Sequence, residues 1–303
     1  REEINKKILD LIASNNLQGI TGEDIYNGYT GDGGLHGLSR SDFENYYKFS
    51  EAKKSVEQGQ FFTPHSTCQQ VAEMLNPSVT ETICDPTCGM GSFFNFFNPA
   101  NCYGSDLDPK AVKVAQFLYP EAKIQNIDIL GYSPEQPVDY IVGNPPFNLT
   151  WHPKGFGGSI YSQDYFFYKS AEMIKLGGII AVVVPESFMK DSFSDKSSID
   201  RVNESWSFIG QYLLDKATFK DIGVKNYGTK IMFFQRRSDS IKFVPYDHKE
   251  FTTVEEITLR LEECKKVRRS LAVKLRSEML EKYDSDFVYK MNKYLYEIKV
   301  HPK

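Results

Sequence analysis

The stretch Val138-Asp139-Tyr140-Ile141-Val142-Gly143-Asn144-Pro145-Pro146-Phe147 constrains this chain more than any other. A short apolar run enters Gly143 and is stopped by two consecutive prolines. Two prolines in a row cannot continue a central strand or sit inside a helix, because each fixes φ and lacks an N–H. The first also pushes Asn144 into an extended conformation. The strand therefore ends in a rigid turn whose carbonyls at Asn144 and Pro145 have few local donors. The amide oxygen of Asn144 lies beside them, and Phe147 adds a flat apolar face. An acceptor cluster next to a stacking platform suits a planar group carrying an exocyclic –NH2. A plain proline turn closing a strand is the alternative reading of these four residues alone, so the rest of the chain has to decide.

Three other predicted strands carry chemistry at their ends. Thr82-Ile83-Cys84 opens into Asp85-Pro86-Thr87-Cys88-Gly89-Met90-Gly91-Ser92-Phe93-Phe94. Glycines there let backbone approach a ligand, and a helix start offers free N–H groups. The pattern is not G-x-G-x-x-G, and no ribose acid follows at dinucleotide spacing, which disfavours a nicotinamide fold. The second strand, Cys102–Ser105, ends at Asp106-Leu107-Asp108-Pro109. An acid at that place binds ribose hydroxyls in doubly wound folds, so Asp106 is the candidate. Asp108 reads as a helix cap with Pro109 at the first helical position. The third strand and its exit, Ile124–Ile129, carry Asp128, which alone reads as a turn residue. Upstream, Gly59-Gln60-Phe61-Phe62-Thr63-Pro64 leads into a predicted helix from Ser66 to Leu75, with Thr63 and Pro64 as its entry.

In order and spacing, these motifs resemble the S-adenosylmethionine-dependent N6-adenine DNA methyltransferases. Their order is similar to that of type I restriction-modification methylase subunits, and the resemblance covers roughly residues 59–236. It implies catalytic roles for Asn144, Pro145, Pro146 and Phe147: the Asn side chain and the first Pro carbonyl accept from the target amino group, and the aromatic ring stacks on a flipped base. It implies that Phe61 and Thr63 touch the methionine end of S-adenosylmethionine. Asp85, Thr87, Cys88, Gly89, Gly91 and Ser92 correspond to the cofactor loop, with Asn144 counted among the cofactor contacts. Asp106 and Leu107 correspond to the ribose side. Asp128 and Ile129 correspond to contacts with the cofactor's adenine. Phe219 stands where the family carries a second aromatic against the base, a core Phe being the equal alternative.

The implied reaction is methyl transfer to the N6 amino group of a flipped-out adenine in DNA, with no metal. Two alternatives stand beside it. One is N-methylation of RNA guanine or adenine, or of protein glutamine, by enzymes with a similar Asn-Pro-Pro turn. The other is a non-catalytic methyltransferase-like scaffold that binds DNA. Phe in place of Tyr at 147 and the Gly-Gln-Phe-Phe-Thr-Pro element favour DNA adenine. Intact Asn144, Asp106 and Asp85 speak against the scaffold.

Alternation of strands and helices over 66–236 predicts an α/β fold: a doubly wound, mostly parallel Rossmann-like sheet of the class I methyltransferase type, with an antiparallel pair near its end and helical N- and C-terminal extensions. The expected division is a helical segment 1–58, a methyltransferase domain 59–240 and a charged helical segment 241–303. Residues 1–20 read as a helix from Ile4, Ile8, Leu11 and Ile12, and 41–57 as another. Gly28–Gly37 reads as a long connection, with a lid or DNA-facing loop as alternatives; it lacks the Lys-Ser/Thr of a Walker loop. Asn148–Gly158 is expected to be a substrate-side flap. Asp164–Leu176 reads as a helix stopped by Gly177-Gly178. The β-branched run 179–184 reads as a buried parallel strand, and 191–205 as an exposed loop or short polar helix. Strands are expected at 208–214 and 231–235, and helices at 254–281 and 287–298.

The net charge is −4, but Arg260–Lys303 carries +5 and the remainder −9. That basic stretch reads either as a phosphate-contacting surface or as a solvated helix face. The family's long target-recognition region has no counterpart here, so specificity is expected in a partner subunit, in sequence missing from this chain, or in 1–58. Five scattered cysteines without a C-x-x-C pair predict free thiols. No run of eighteen apolar residues occurs, so no membrane span is expected. The charged start without an apolar run predicts no signal peptide, and the missing initiator Met suggests a fragment. A cytoplasmic protein of bacterial, archaeal or phage origin is the expectation.

Overall fold

Seven strands form one sheet. The structure is a computed structural model that describes residues 1–31, 40–57, 61–154, 158–190, 193–220 and 228–282. Most of the glycine-rich connection, the pair Gly59-Gln60 and the helix expected at 287–298 lie outside the described residues. In chain order the elements are α1 (Glu2–Ser14), α2 (Gly22–Gly28), α3 (Tyr46–Glu57), α4 (His65–Leu75), β1 (Ile83–Asp85), β2 (Cys102–Asp106), α5 (Pro109–Leu118), β3 (Lys123–Asn126) and β4 (Val138–Gly143). There follow β5 (Thr150–Trp151), β6 (Ile160–Tyr161), α6 (Ser162–Met173), β7 (Ile174–Pro185), α7 (Phe193–Ser205), β8 (Trp206–Leu213), β9 (Thr229–Arg236) and α8 (Val254–Lys282).

The sheet order is β3-β2-β1-β4-β7-β9-β8, with β5 and β6 a separate small pair. The first five of those strands are parallel, and β9 runs antiparallel to both β7 and β8. From β1 the chain moves outward to β2 and β3, then returns to β4 and departs on the other side. The reversal lies between β1 and β4, where open α/β sheets place ligands at the strands' carboxyl ends. This is the doubly wound, mostly parallel fold expected from the sequence.

Side chains along β4 and β7 alternate between two apolar layers, as a period of two requires. Tyr140, Val142, Ile179, Ala181 and Val183 join a cluster with Val71 and Leu75 of α4, Val112 of α5, and Ile257 and Leu261 of α8. Ile141, Ile180, Val182 and Val184 join the opposite cluster with Phe166 and Phe167 of α6 and Val202 of α7. A third cluster ties the N-terminal helices to α5 and the loop after β1: Ile8, Ile25, Tyr26 and Tyr29 pack with Met90, Ala111 and Val114. The α2 start is a capping box between Thr21 and Asp24. The five cysteines are free thiols. Among the described residues no helix is long and apolar enough to cross a membrane.

Three local expectations are corrected, and one open alternative is decided. Helix α6 ends at Met173, and Gly177-Gly178 does not stop it; both glycines belong to β7. Gly177 has φ +77°, and a Cβ there would sit 3.3 Å from Arg268, so this glycine kinks a strand under α8. The kink goes with a register shift between Val138 and Tyr140. Residues 193–205 take the helical option. The residue capping α4 is Pro64, not Thr63. After Asp85 the chain makes only a 3-10 turn, Ser92–Phe96, because Pro99 follows too soon for a longer helix.

At the edge of the sheet remote from the strands' carboxyl ends, α8 inserts Arg268. Its guanidinium donates to the Asp139 carbonyl and to the Tyr140 hydroxyl, each at 3.1 Å, and pairs with Glu81. Lys175 pairs with Asp139 at 3.0 Å. Burial alone would raise the Asp139 carboxyl, but Lys175 and Arg268 hold it below the usual carboxylate range. Removing one partner of such a cluster leaves buried acceptors unsatisfied. Arg268→Ala is expected to lower unfolding free energy by about 3 kcal/mol in urea titration, against about 0.5 kcal/mol for a surface pair. A loss at the surface-pair level would contradict this role.

Candidate active site

The carboxyl ends of β1 to β4 converge on a cleft of about 420 Å³, within the size range of small-molecule sites. Of the residues singled out in the sequence, Phe61, Thr63, Asp85, Thr87, Cys88, Gly89, Ser92, Asp106, Leu107, Asp128, Ile129, Asn144 and Pro146 line it. Gly91, Pro145, Phe147 and Phe219 do not. Gly91 has φ +79°, and a Cβ there would meet the Tyr119 ring at 2.8 Å, so it faces α5. Phe147 and Phe219 are 9% and 3% exposed and share the apolar cluster that contains α4 and α8.

Asn144 is fixed by an unusual division of its two polar atoms. Its Nδ2 donates to the Phe61 carbonyl at 2.8 Å. Its Oδ1 is buried and has no hydrogen-bond partner. The donor bond sets which way the amide points, and the acceptor is left at the cleft. Burying an acceptor unpaired costs about 1–3 kcal/mol, so this atom is poised for a donor from a bound molecule.

Asp85 ends β1 beside that amide. Its Oδ1 accepts from the Thr87 N–H at 3.0 Å and lies 3.3 Å from the Thr87 hydroxyl. It is 2% exposed. Burial pushes its carboxyl up to about 8, and the neighbouring charge of Asp106 adds to the rise against the Thr87 hydrogen bonds. Asp106 ends β2 and holds two turns at once: Oδ2 accepts from Gly89 N–H at 2.8 Å, and Oδ1 from Asp108 N–H at 2.9 Å. Burial raises this carboxyl too, against those bonds. Asp108 caps α5 through Lys110 N–H at 2.9 Å. Asp128 accepts from Leu130 N–H at 2.9 Å, a turn bond, while lining the cleft.

Phe62, Pro86 and Phe93 of the same motifs, Leu149 and Trp151 of the segment expected to be a flap, and the α5 cap Asp108 also line the cleft. Gly89 has φ +54°, and a Cβ there would come within 2.6 Å of the Phe62 ring; Phe62 in turn stacks on Tyr29 at 5.8 Å. Trp151 comes from the β5–β6 pair, within the segment expected to be a flap, where a Trp was its signal.

The donor set says what fits. Asp85, Asp106, Asp108 and Asp128 line the cleft, and no Lys, Arg or His lines it among the described residues. A polyphosphate would be repelled, whereas a ligand carrying a positive charge relieves crowded carboxylates. S-adenosylmethionine, with a sulfonium and an ammonium, fits this chemistry. For stability, Asp85 has a raised folded value, so its contribution is full below about pH 4 and is lost as pH rises toward 8. Asp85→Asn is therefore expected to flatten the fall of the unfolding midpoint between about pH 4 and 8. Thermal unfolding across that range checks this; parallel wild-type and variant curves would contradict it.

Comparison with known proteins agrees with the geometry. The N-6 DNA Methylase family model matches residues 45–263. Defense against restriction protein B of Escherichia phage P1 is 25% identical over 261 residues, covering 82% of this chain and 11% of that protein. Type II methyltransferase M.VspI of Vibrio sp. (strain 343) is 28% identical over 162 residues, covering 46% of this chain and 40% of that protein. The chain thus spans well under half the length of either relative. Among solved structures, a Listeria monocytogenes protein described as a class I S-adenosylmethionine-dependent methyltransferase superposes with a TM-score of 0.56 at 15% identity, covering 87% of this chain and 99% of that one. A type I restriction-modification methyltransferase subunit from Streptococcus thermophilus gives 0.51 at 15% identity, covering 73% and 56%. The structural likeness establishes the class I methyltransferase fold, and the family match over most of the chain establishes descent: the chain belongs to the N-6 DNA methylase family, whose members use S-adenosylmethionine as methyl donor.

Proposed function

We propose that this chain transfers a methyl group from S-adenosylmethionine to the N6 amino group of an adenine in DNA. The observation that carries the reading is the unpaired, buried Oδ1 of Asn144, held in place by the Phe61 carbonyl. An exocyclic amino group supplies the missing donor. Its lone pair is delocalised into the ring and is a poor nucleophile. Asn144 Oδ1 and the Pro145 carbonyl accept its hydrogens as the nitrogen pyramidalises, which localises the lone pair and stabilises the developing positive charge. The bound cofactor supplies a methyl group made electrophilic by its sulfonium. An amide is too weak a base to take the proton, which leaves later to water or a backbone acceptor.

The proposed cofactor contacts are Phe61 and Thr63 at the methionine end, Asp85, Thr87, Cys88, Gly89 and Ser92 of the loop after β1, Asp106 and Leu107 at the ribose, and Asp128 and Ile129 at the adenine. Their common support is that they line one cleft. Each Asp106 oxygen already accepts one N–H and retains a second lone pair for a hydroxyl. An adenine inside a duplex cannot reach this edge, so it is flipped out, with Phe147 and Phe219 supplying new stacking.

Because the chain spans a fraction of its relatives, recognition of the DNA sequence is assigned to further sequence or to a separate subunit. Relatives from Vibrio and a phage support a cytoplasmic setting for a chain of bacterial, archaeal or phage origin. Labelled methyl transfer to unmethylated genomic DNA tests the reading. Asn144→Ala is expected to lose about 10²- to 10³-fold in rate, the scale of removing one preorganised transition-state partner. Wild-type transfer by that variant would overturn the role of Asn144.

A further inference from the structure

The turn that ends β4 cannot hold itself. Pro145 and Pro146 contribute no N–H, and Asn148 follows with φ +57° in the left-handed region. What holds this bend comes from the first turn of α6. The Ser162 hydroxyl donates to the Pro146 carbonyl at 2.5 Å and accepts the Leu149 N–H at 3.2 Å. Gln163 and Asn148 form a reciprocal amide pair: Gln163 Oε1 accepts the Asn148 N–H at 3.0 Å, and Gln163 Nε2 donates to Asn148 Oδ1 at 3.0 Å. A backbone bond from Ser162 N–H to the Leu149 carbonyl, 2.8 Å, closes the set. Ser162 and Gln163 are 0% and 1% exposed. The cap residue of α6 is Tyr161, which makes no side-chain cap bond. The two polar side chains that open the helix thus serve the loop.

We infer that Ser162 and Gln163 are positioning residues for methyl transfer, a clamp that sets where Asn144 and Phe147 stand; the inference rests on the function proposed above. Two consequences follow from the geometry. The clamp engages one lone pair of the Pro146 carbonyl and so fixes the turn that carries Asn144 and the Pro145 carbonyl. It also anchors both sides of Phe147, through Pro146 and Asn148, while the Phe61 bond anchors Asn144. Neither Ser162 nor Gln163 lines the cleft, so the effect falls on geometry, not on cofactor contact.

The test separates positioning from folding and from binding. Gln163→Ala and Ser162→Ala are expected to lower the transfer rate at saturating DNA and cofactor by about 10- to 100-fold, the cost of misplacing a reacting group. KM for DNA and Kd for S-adenosylmethionine are expected to stay within about threefold, because no binding contact is removed. Asn148→Ala is expected to match Gln163→Ala, the double variant to be no worse than either alone, and Asn148→Asp, which keeps an acceptor for Nε2, to recover most of the rate. Hydrogen exchange at the Asn148 amide, read without any substrate, is expected to quicken in Gln163→Ala. A Gln163→Ala protein with wild-type kcat, an effect on KM alone, or unchanged exchange at Asn148 would overturn the clamp. If wild type methylates no DNA, the functional reading fails, and the exchange result still decides whether the clamp exists.

Discussion

The hydrogen bond from Asn144 Nδ2 to the Phe61 carbonyl joins two segments 83 residues apart and gives the cleft its chemistry. Without it the amide could rotate, and either its oxygen or its nitrogen would face a ligand. With it the nitrogen is engaged and the oxygen is presented. The bond needs β4 beside β1 at the reversal of the sheet, and it needs the segment before α4 folded over their carboxyl ends. Phe62 is seated there against Gly89 and Tyr29. Tyr26 of α2 reaches the same loop, donating its hydroxyl to the Ser92 carbonyl at 3.0 Å. The N-terminal helices thus share a core with the loop that begins at Asp85, and changes at Tyr26 or Tyr29 reach the cleft through packing.

Electrostatics select the ligand class as firmly as shape does. Four aspartates line the cleft without a basic side chain among the described residues, and two of them are raised by burial. Folding such a site is a cost offset elsewhere, in the apolar layers on both faces of the sheet and in the Arg268 cluster at its far edge. A cationic ligand reverses the penalty on arrival. This is the opposite arrangement to a phosphate-binding doubly wound fold, although the strands and the reversal point are alike.

Much of this was legible in the sequence because the decisive signals are local. Apolar β-branched runs at 138–143 and 179–184 marked buried strands, and the acids and glycines at their ends marked one edge. Asn144 was identified from the two prolines that follow it. Other features were not legible because they depend on partners distant in the chain. Gly177-Gly178 reads as a helix stop until Arg268, from α8, is seen packed against the kink. Ser162 and Gln163 read as an ordinary helix start until α6 meets the turn after β4. The pairing of Asp139 with Lys175 and Arg268 spans three elements and leaves no periodic trace. Phe147 reads as a flat apolar face beside the acceptors, and the cluster it packs into is not legible, since a single ring gives no signal of what will pack on it.

The central claim is that the orphaned amide oxygen serves the N6 amino group of adenine. The most direct measurement is the identity of the methylated product. DNA, RNA and protein would each be incubated with wild-type chain and labelled S-adenosylmethionine, digested to nucleosides or amino acids, and resolved by mass. The account predicts label in N6-methyladenine from DNA. Label confined to methylated guanine, cytosine or glutamine, with none in N6-methyladenine, would contradict it.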